Sequence, residues 1–188
     1  MTLGMTIDDV AALIRARRTS MLVDASRPVP HDLVERLCTL AQWAPNHKRT
    51  WPWRFAVVEG EARSALGNLI ADAMQARDDP PEKVAKTRGK YLRAPMTIVV
   101  GTAEGDSPLR TAENRDAVAA GIQNLMLGAT AAGLATYWSS CPKGANDVVA
   151  AFVSFDPGTF VTALVYIGWA SGEVSAPERP AAAITFVR

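Results

Sequence analysis

With 188 residues, 48% of them hydrophobic and a formal charge of +1, the chain has the composition of one globular domain with room for a sizeable core. That balance argues against a general nucleic-acid binder, and no apolar run approaches the ~20 residues that a membrane span needs. Two cysteines, Cys38 and Cys141, are too few for a disulfide framework or a metal-ligand pattern. The N-terminus sets acidic residues before its apolar stripe and basic ones after it, so no signal peptide is expected, and the default is a reduced, cytoplasmic protein. Cys38 lies on an apolar helical face and reads as core; Cys141, in "SSCP", reads as either an inert or a reactive thiol.

In chain order, Thr6 followed by Asp9 is a helix-start signal, and Ile7, Val10, Ala11 and Ile14 carry that helix into "RARRTS". "RPVPHD" breaks the chain. Leu33, Leu37, Leu40, Ala41 and Ala44 then predict a second amphipathic helix ended by Pro45. "RFAVVEG" predicts a strand and Glu61 to about Arg77 a third helix; after the break "RDDPPEK", a charged helix runs to about Arg93. "APMTIVVGTA" is nearly continuously apolar and predicts a strand buried on both faces. Val118, Ile122, Leu125, Ala129 and Ala132 predict a long helix rich in small residues and stopped at Gly133. "LATYWSS" is a strand, "ANDVVAAF" a short helix and "TFVTALVYIGWA" another strand. The tail "SGEVSAPERPAAAITFVR" is rich in Pro and Ala and ends in a β-like tetrad, Ile184 to Val187. This order predicts an α+β or α/β sandwich around a mainly internal sheet. A compact domain rarely trails such an irregular segment before a final strand. The tail therefore either reaches across a partner subunit or wraps its own surface.

Three stretches carry chemistry. "RARRTS" sets Arg15, Arg17 and Arg18 at a helix C-terminus before two hydroxyls. This is either ordinary capping against the helix dipole or an anion clamp whose guanidinium forks suit a phosphate. "APNHKRTWPWRF" packs a histidine, two tryptophans and three basic groups besides that histidine into one short stretch, more than a turn requires. His47 and Trp51 offer an aromatic surface with an N–H, and Pro45 and Pro52 stiffen the loop; Trp51 and Trp53 are otherwise core or interface anchors. "GATAAGLATYWSS" joins a small-residue helix end to a strand. No Walker loop is present, and no GxGxxG follows a strand, so neither of those devices holds a nucleotide here. "RDDPPEKVAKTRGKYLR" is either a lid or entrance wall, or a solvated helix.

Taken in order and spacing, these stretches and the late "YIG" resemble the FMN-dependent nitroreductase family over nearly the whole chain, closest to a small branch with an A-P-(D/N)-H-K loop. The resemblance implies an α+β three-layer sandwich, with a central, mostly antiparallel sheet flanked by helices and a C-terminal strand exchanged with a partner subunit. It implies one domain over residues 1–188, with 170–188 as a dimer-wrapping tail, and a homodimer with FMN at the subunit interface. Carried over, the cofactor-binding residues are Arg17, Arg18 and Thr19 toward the phosphate and ribityl chain, His47 and Trp51 toward the flavin, and Trp138, Ser139 and Ser140 at a strand end. Arg179 is the one cation of the tail that corresponds loosely to a phosphate contact, and Gly128, Ala129, Thr130, Ala131, Ala132 and Gly133 correspond to a nicotinamide-nucleotide site.

The implied activity is electron transfer from NADH or NADPH to electron-poor small molecules such as nitroaromatics or quinones, by ping-pong kinetics. The flavin would carry the chemistry, with no catalytic side chain and no metal. Met21 stands where relatives often carry a cation, and Trp51 where they often carry an amide, so cofactor affinity and substrate range are both open. A flavin sensor or reservoir, or a flavin enzyme acting on enones, haloaromatics or flavin itself, remains an alternative.

Overall fold

The computed structural model describes residues 4–188. Alternation along two strands decides the architecture. In β2 (Met96–Thr102), every residue is buried. Met96, Ile98 and Val100 enter one apolar cluster, while Val99 enters another. In β4 (Phe160–Trp169), Ala163, Val165 and Ile167 join the first cluster, and Val161, Leu164 and Tyr166 the second. Strand side chains point alternately to opposite faces, so a sheet apolar on both must be covered twice. A bulge between Val100 and Gly101 shifts the register by one residue of β4, which is why Val161 and Ala163 serve different clusters.

Helices α2 (His31–Ala41) and α5 (Pro108–Ala131) cover the first face through Val34, Leu37, Val118, Ile122 and Leu125. Helices α3 (Ala62–Gln75), α4 (Pro81–Arg88) and α6 (Asn146–Phe152) cover the second through Leu66, Ile70, Met74, Val84 and Val149. With β1 (Trp53–Glu59) and β3 (Leu134–Ser139), the sheet has strand order β1-β2-β4-β3, every neighbouring pair antiparallel. The result is the three-layer α+β sandwich that the sequence predicts. Ala56, Val99, Leu164 and Ser139 align across it, so β1 and β3 form opposite edges, three strand spacings or roughly 14 Å apart.

Helix α1 (Ile7–Ala16) starts on a full capping box: Asp9 N–H donates to Thr6 Oγ1 at 3.2 Å and Thr6 N–H to the Asp9 carboxylate at 2.8 Å. None of its residues is buried. Its apolar face, Ile7, Val10 and Ile14, is exposed.

Two expectations are corrected. The second helix ends at Ala41 rather than Ala44, in tight turns whose N–H groups at Trp43 and Ala44 return to Leu40 and Ala41 carbonyls. The charged helix does not run unbroken to Arg93: Gly89 divides it, and a 3-10 turn covers Lys90–Arg93. It is not a wholly solvated helix: Val84, Thr87 and Tyr91 are buried. Residues 184–187 form no strand within the single chain.

The α3–α4 contact depends on a missing side chain. A Cβ at Gly67 would sit 2.2 Å from the Arg88 carbonyl oxygen, a backbone atom that cannot swing aside. Gly67→Ala is expected to cost about 1–3 kcal/mol in denaturant unfolding, with α4 displaced.

Candidate functional site

The sequence-marked residues fall into two groups on opposite sheet edges. The first lies at β3. Thr19 bridges Thr136 in parallel, Ser20 N–H donates to the Thr136 carbonyl at 2.9 Å, and Val23 pairs with Ala170. These bonds draw the chain after α1 along the edge and fix where its arginines stand. Arg18 caps α1, donating to the Arg15 and Arg17 carbonyl oxygens, the latter at 2.9 Å. Its Nε is buried and has no partner.

Arg15, Arg17, Arg18 and Arg179 line one cleft of about 420 Å³ with Ile14, Gln123 and Pro177. The tail thus brings Arg179 to the arginines of α1. Among the described residues, no carboxylate lies within ion-pair reach of any of the four. Four unpaired guanidiniums in one cleft repel one another unless an anion joins them. The capping reading of "RARRTS" therefore holds for Arg18, and the group stands as a cluster of unpaired cations.

A neighbouring cleft of about 310 Å³ is lined by Arg18, Ser20, Thr130, Gly133, Ala135 and Gly172, among others. Of the six small residues at 128–133, only Thr130 and Gly133 line it. Gly128 serves packing: a Cβ there would meet Leu40 and Leu37 of α2 at 2.8 and 2.9 Å. Ala129 is fully buried in the core, whereas Ala131 is exposed and Ala132 half-buried. On β3, Trp138 packs half-buried against the α5-side core, Ser139 is half-buried, and Ser140 is exposed just beyond the strand.

Sequence reasoning missed Lys90. Its Nζ donates to Ser139 Oγ at 3.3 Å and has no carboxylate in reach. Burial, then the Arg93 charge, depress its pKa below the usual lysine value. Met21 packs partly buried against the same α3-side cluster as Tyr91 and Cys141. A half-buried ammonium without a counter-ion is costly, and an anionic ligand would relieve it. Nothing in "KTRGKYLR" marks this lysine; only the fold brings it to Ser139.

The second group lies beside β1. His47–Arg49 is a 3-10 turn, and Lys48, Arg49 and Trp51 all have positive φ (60°, 53° and 49°). Each such conformation costs a non-glycine residue of order 1–2 kcal/mol, so the surroundings must impose it. They do so through a relay: Trp51 N–H donates to Asn46 Oδ1 (2.9 Å), Asn46 Nδ2 to Thr50 Oγ1 (3.0 Å), Thr50 Oγ1 to Asn114 Oδ1 (2.6 Å), and Asn114 Nδ2 to the Ala103 carbonyl (3.1 Å). Asn114 is buried on α5, so the loop is anchored to the core. His47 Nδ1 lies 2.9 Å from Glu113 Oε1 and 3.0 Å from Arg110. The His47 hydrogen bond, assisted by Arg110, holds the Glu113 carboxyl below the usual range. Trp53 is buried, whereas the Trp51 indole is exposed.

One chain does not bring the two groups together. His47 meets α5 at Glu113, whereas the arginine clefts meet it at Gln123 and Thr130, a rise of about 15–25 Å along the helix.

The thiols take no part. Burial raises both Cys38 and Cys141 to about 11. Native protein at neutral pH is expected to resist iodoacetamide and to be alkylated rapidly once denatured; fast native labelling at Cys141 would overturn this.

Fold and site together are those of an α+β sandwich with an unpaired cationic cluster at one sheet edge and a strained aromatic loop at the other. The Nitroreductase family model matches residues 14–169, and the chain belongs to that family. It is 30% identical over 131 residues to YfhC of Bacillus subtilis, a protein named provisionally as an NAD(P)H nitroreductase, covering 68% of this chain and 67% of that one. The crystal structure of a nitroreductase-like family protein from Bacillus cereus superimposes with a TM-score of 0.76 at 27% identity, covering 98% of this chain and 94% of the other. A Bacteroides fragilis nitroreductase with bound FMN shares the fold, with a TM-score of 0.77 at 20% identity over 96% of this chain and 99% of that one.

Among the described residues, no helix is long and apolar enough to cross a membrane.

Proposed function

We propose that the protein is an FMN-dependent oxidoreductase that passes electrons from NADH or NADPH to electron-poor small molecules such as nitroaromatics or quinones. The names of its relatives supply the NAD(P)H and FMN chemistry. One observation carries the reading onto this chain: two polar half-sites stand on opposite sheet edges, one rich in unpaired cations, the other holding an exposed indole on a preformed loop. A homodimer that sets the β1 edge of one copy against the β3 edge of the other would complete two identical sites. The bare apolar face of α1 and the exposed Leu40 and Trp43 supply a surface for such pairing. Ile184, Phe186 and Val187 at the exposed end of the tail fit a strand completed on the partner.

The residues present fit the cofactor. Arg17, Arg18 and Arg179 would hold the phosphate, with the unpartnered Arg18 Nε as a spare donor; Thr19 would add a hydroxyl. Lys90 and Ser139 would face a polar edge of the ring, and the partner copy's loop would bring an imidazole and an indole over it. Thr130 and Gly133 leave room for part of the nicotinamide nucleotide. Bound FMN supplies the two-electron chemistry. The chain binds, orients and shields the ligands, and the ammonium of Lys90 favours the more negative state of whatever it faces. One site serving donor and acceptor in turn gives parallel-line, ping-pong kinetics.

The test is an anaerobic absorption spectrum of the purified protein, with its mass in solution. The expected result is a yellow dimer that bleaches with NADH or NADPH and regains colour with nitrobenzene or a quinone. A colourless monomer that takes up no FMN at micromolar concentration would refute the proposal. Bound flavin that NAD(P)H fails to bleach would favour a reservoir instead.

A further inference from the structure

The loop beside β1 carries more positive charge than its own contacts use. Lys48 and Arg49 are both exposed, and among the described residues no carboxylate lies within ion-pair distance of either. Glu113 on α5, whose carboxyl also feels the Lys48 charge, is already engaged by His47 and Arg110. The two cations precede Trp51 by three and two residues in the same loop, and its indole is 58% exposed and tilted 50° from Trp53 with centroids 6.3 Å apart. All three sit in left-handed backbone that the Asn46–Thr50–Asn114 relay imposes. Strain of that kind persists where the surroundings force a side chain to be displayed. The loop thus exposes one indole and, two and three residues before it, a guanidinium and an ammonium.

FMN does not account for these charges. Its phosphate is a dianion, and the cleft at the β3 edge already gathers Arg15, Arg17, Arg18 and Arg179. Lys90 stands beside Ser139 on that same edge. Lys48 and Arg49 are therefore free for the second ligand of the site.

Resting on the flavin-oxidoreductase reading above, we infer that the acceptor is an aromatic anion: a planar, electron-poor ring bearing a carboxylate or similar group, its face on Trp51 and its charge met by Lys48 and Arg49. The group reduced is the nitro or quinone function on the ring: two electrons drawn from NAD(P)H through the flavin, with two protons, take a nitro group to a nitroso group and water, or a quinone to a hydroquinone; the carboxylate takes no part in that step and serves only for recognition. A neutral nitroarene would gain the stacking and lose the ion pair, and a cationic one would meet repulsion.

The dinucleotide donor is also an aromatic polyanion, and ping-pong kinetics separate it from the acceptor, because each has its own kcat/KM. The experiment uses the FMN-loaded dimer with para-nitrobenzoate, nitrobenzene and para-nitrobenzyltrimethylammonium as acceptors, at low and high salt. The ratio of kcat/KM for the carboxylate over the neutral compound is expected to be about tenfold, to fall with salt, and to invert for the cation. In a Lys48→Gln, Arg49→Gln double variant the ratio should collapse toward one, and Lys48→Arg should retain it. Flavin absorbance checks that each variant is loaded.

A wild-type ratio near one, or a ratio unmoved in the double variant, would overturn the inference. So would a loss confined to kcat/KM for NAD(P)H, which would assign the two cations to the donor. A loaded enzyme that reduces nitrobenzene without charge preference leaves the flavin-oxidoreductase reading intact and removes only this inference; failure to bind flavin or oxidise NAD(P)H removes both.

Discussion

Replacing Arg17 and Arg18 together with alanine is expected to leave a folded protein that has lost its flavin. Each guanidinium can give a phosphate charge-assisted hydrogen bonds worth roughly 1.5–3 kcal/mol, so losing both should weaken FMN binding by about 100-fold or more. The fold should survive, because α1 buries none of its residues and the two apolar clusters are built from the other helices and the sheet. Some local cost remains, since Arg18 also caps α1 through the Arg15 and Arg17 carbonyls. Titration of the apoprotein with FMN, followed by flavin fluorescence, measures the effect, and circular dichroism confirms the fold. Arg179→Ala should act in the same direction and more weakly, because one cation of four is lost from the cleft. If the double variant purifies with its full flavin content, the phosphate lies elsewhere.

Lys90→Met is expected to separate stability from activity. The side chain keeps most of its length and loses its charge. Because the ammonium is half-buried without a counter-ion, the apoprotein should become slightly more stable. The loaded enzyme should be reduced by NAD(P)H about 10–100-fold more slowly, with its flavin potential shifted negative, because the cation that favours added negative charge is gone.

The pH dependence carries the same signature. Lys90 has a folded-state pKa below its ordinary 10.5, so the unfolded chain binds more protons through that interval. Stability of the apoprotein should therefore rise as pH climbs from the depressed value toward 10.5, and this component should vanish in the methionine variant. A variant with unchanged potential and unchanged reduction rate would show that the amine does not face the flavin.

The fold was largely legible in the sequence because its signals are local. The Thr6–Asp9 pair, the unbroken apolar run of β2 and the Ala/Gly stop at Gly133 each report on their own few residues. The second helix was predicted three residues too long because Ala44 continues the apolar period, although the chain has already turned. That the charged stretch after Pro81 is not wholly solvated was not legible, because the Thr87 and Arg88 backbone docks on a glycine of α3. A missing Cβ across a helix contact leaves no periodic mark.

The candidate site was legible as residue types and not as an arrangement. Local pattern and composition determined a helix-covered internal sheet, the arginine-rich end of α1, the aromatic loop before β1 and the core position of Cys38. Tertiary structure alone decided that these marked segments stand on opposite sheet edges, that Arg179 joins Arg17 and Arg18 while Gly128 and Ala129 serve packing, and that Lys90 meets Ser139. The physical reason is range. Capping, periodicity and turn chemistry act over a few neighbouring residues, and a chain displays them in order. Which cations end up near one another without an anion depends on strand order and on a helix 24 residues long, and no short stretch of sequence contains either.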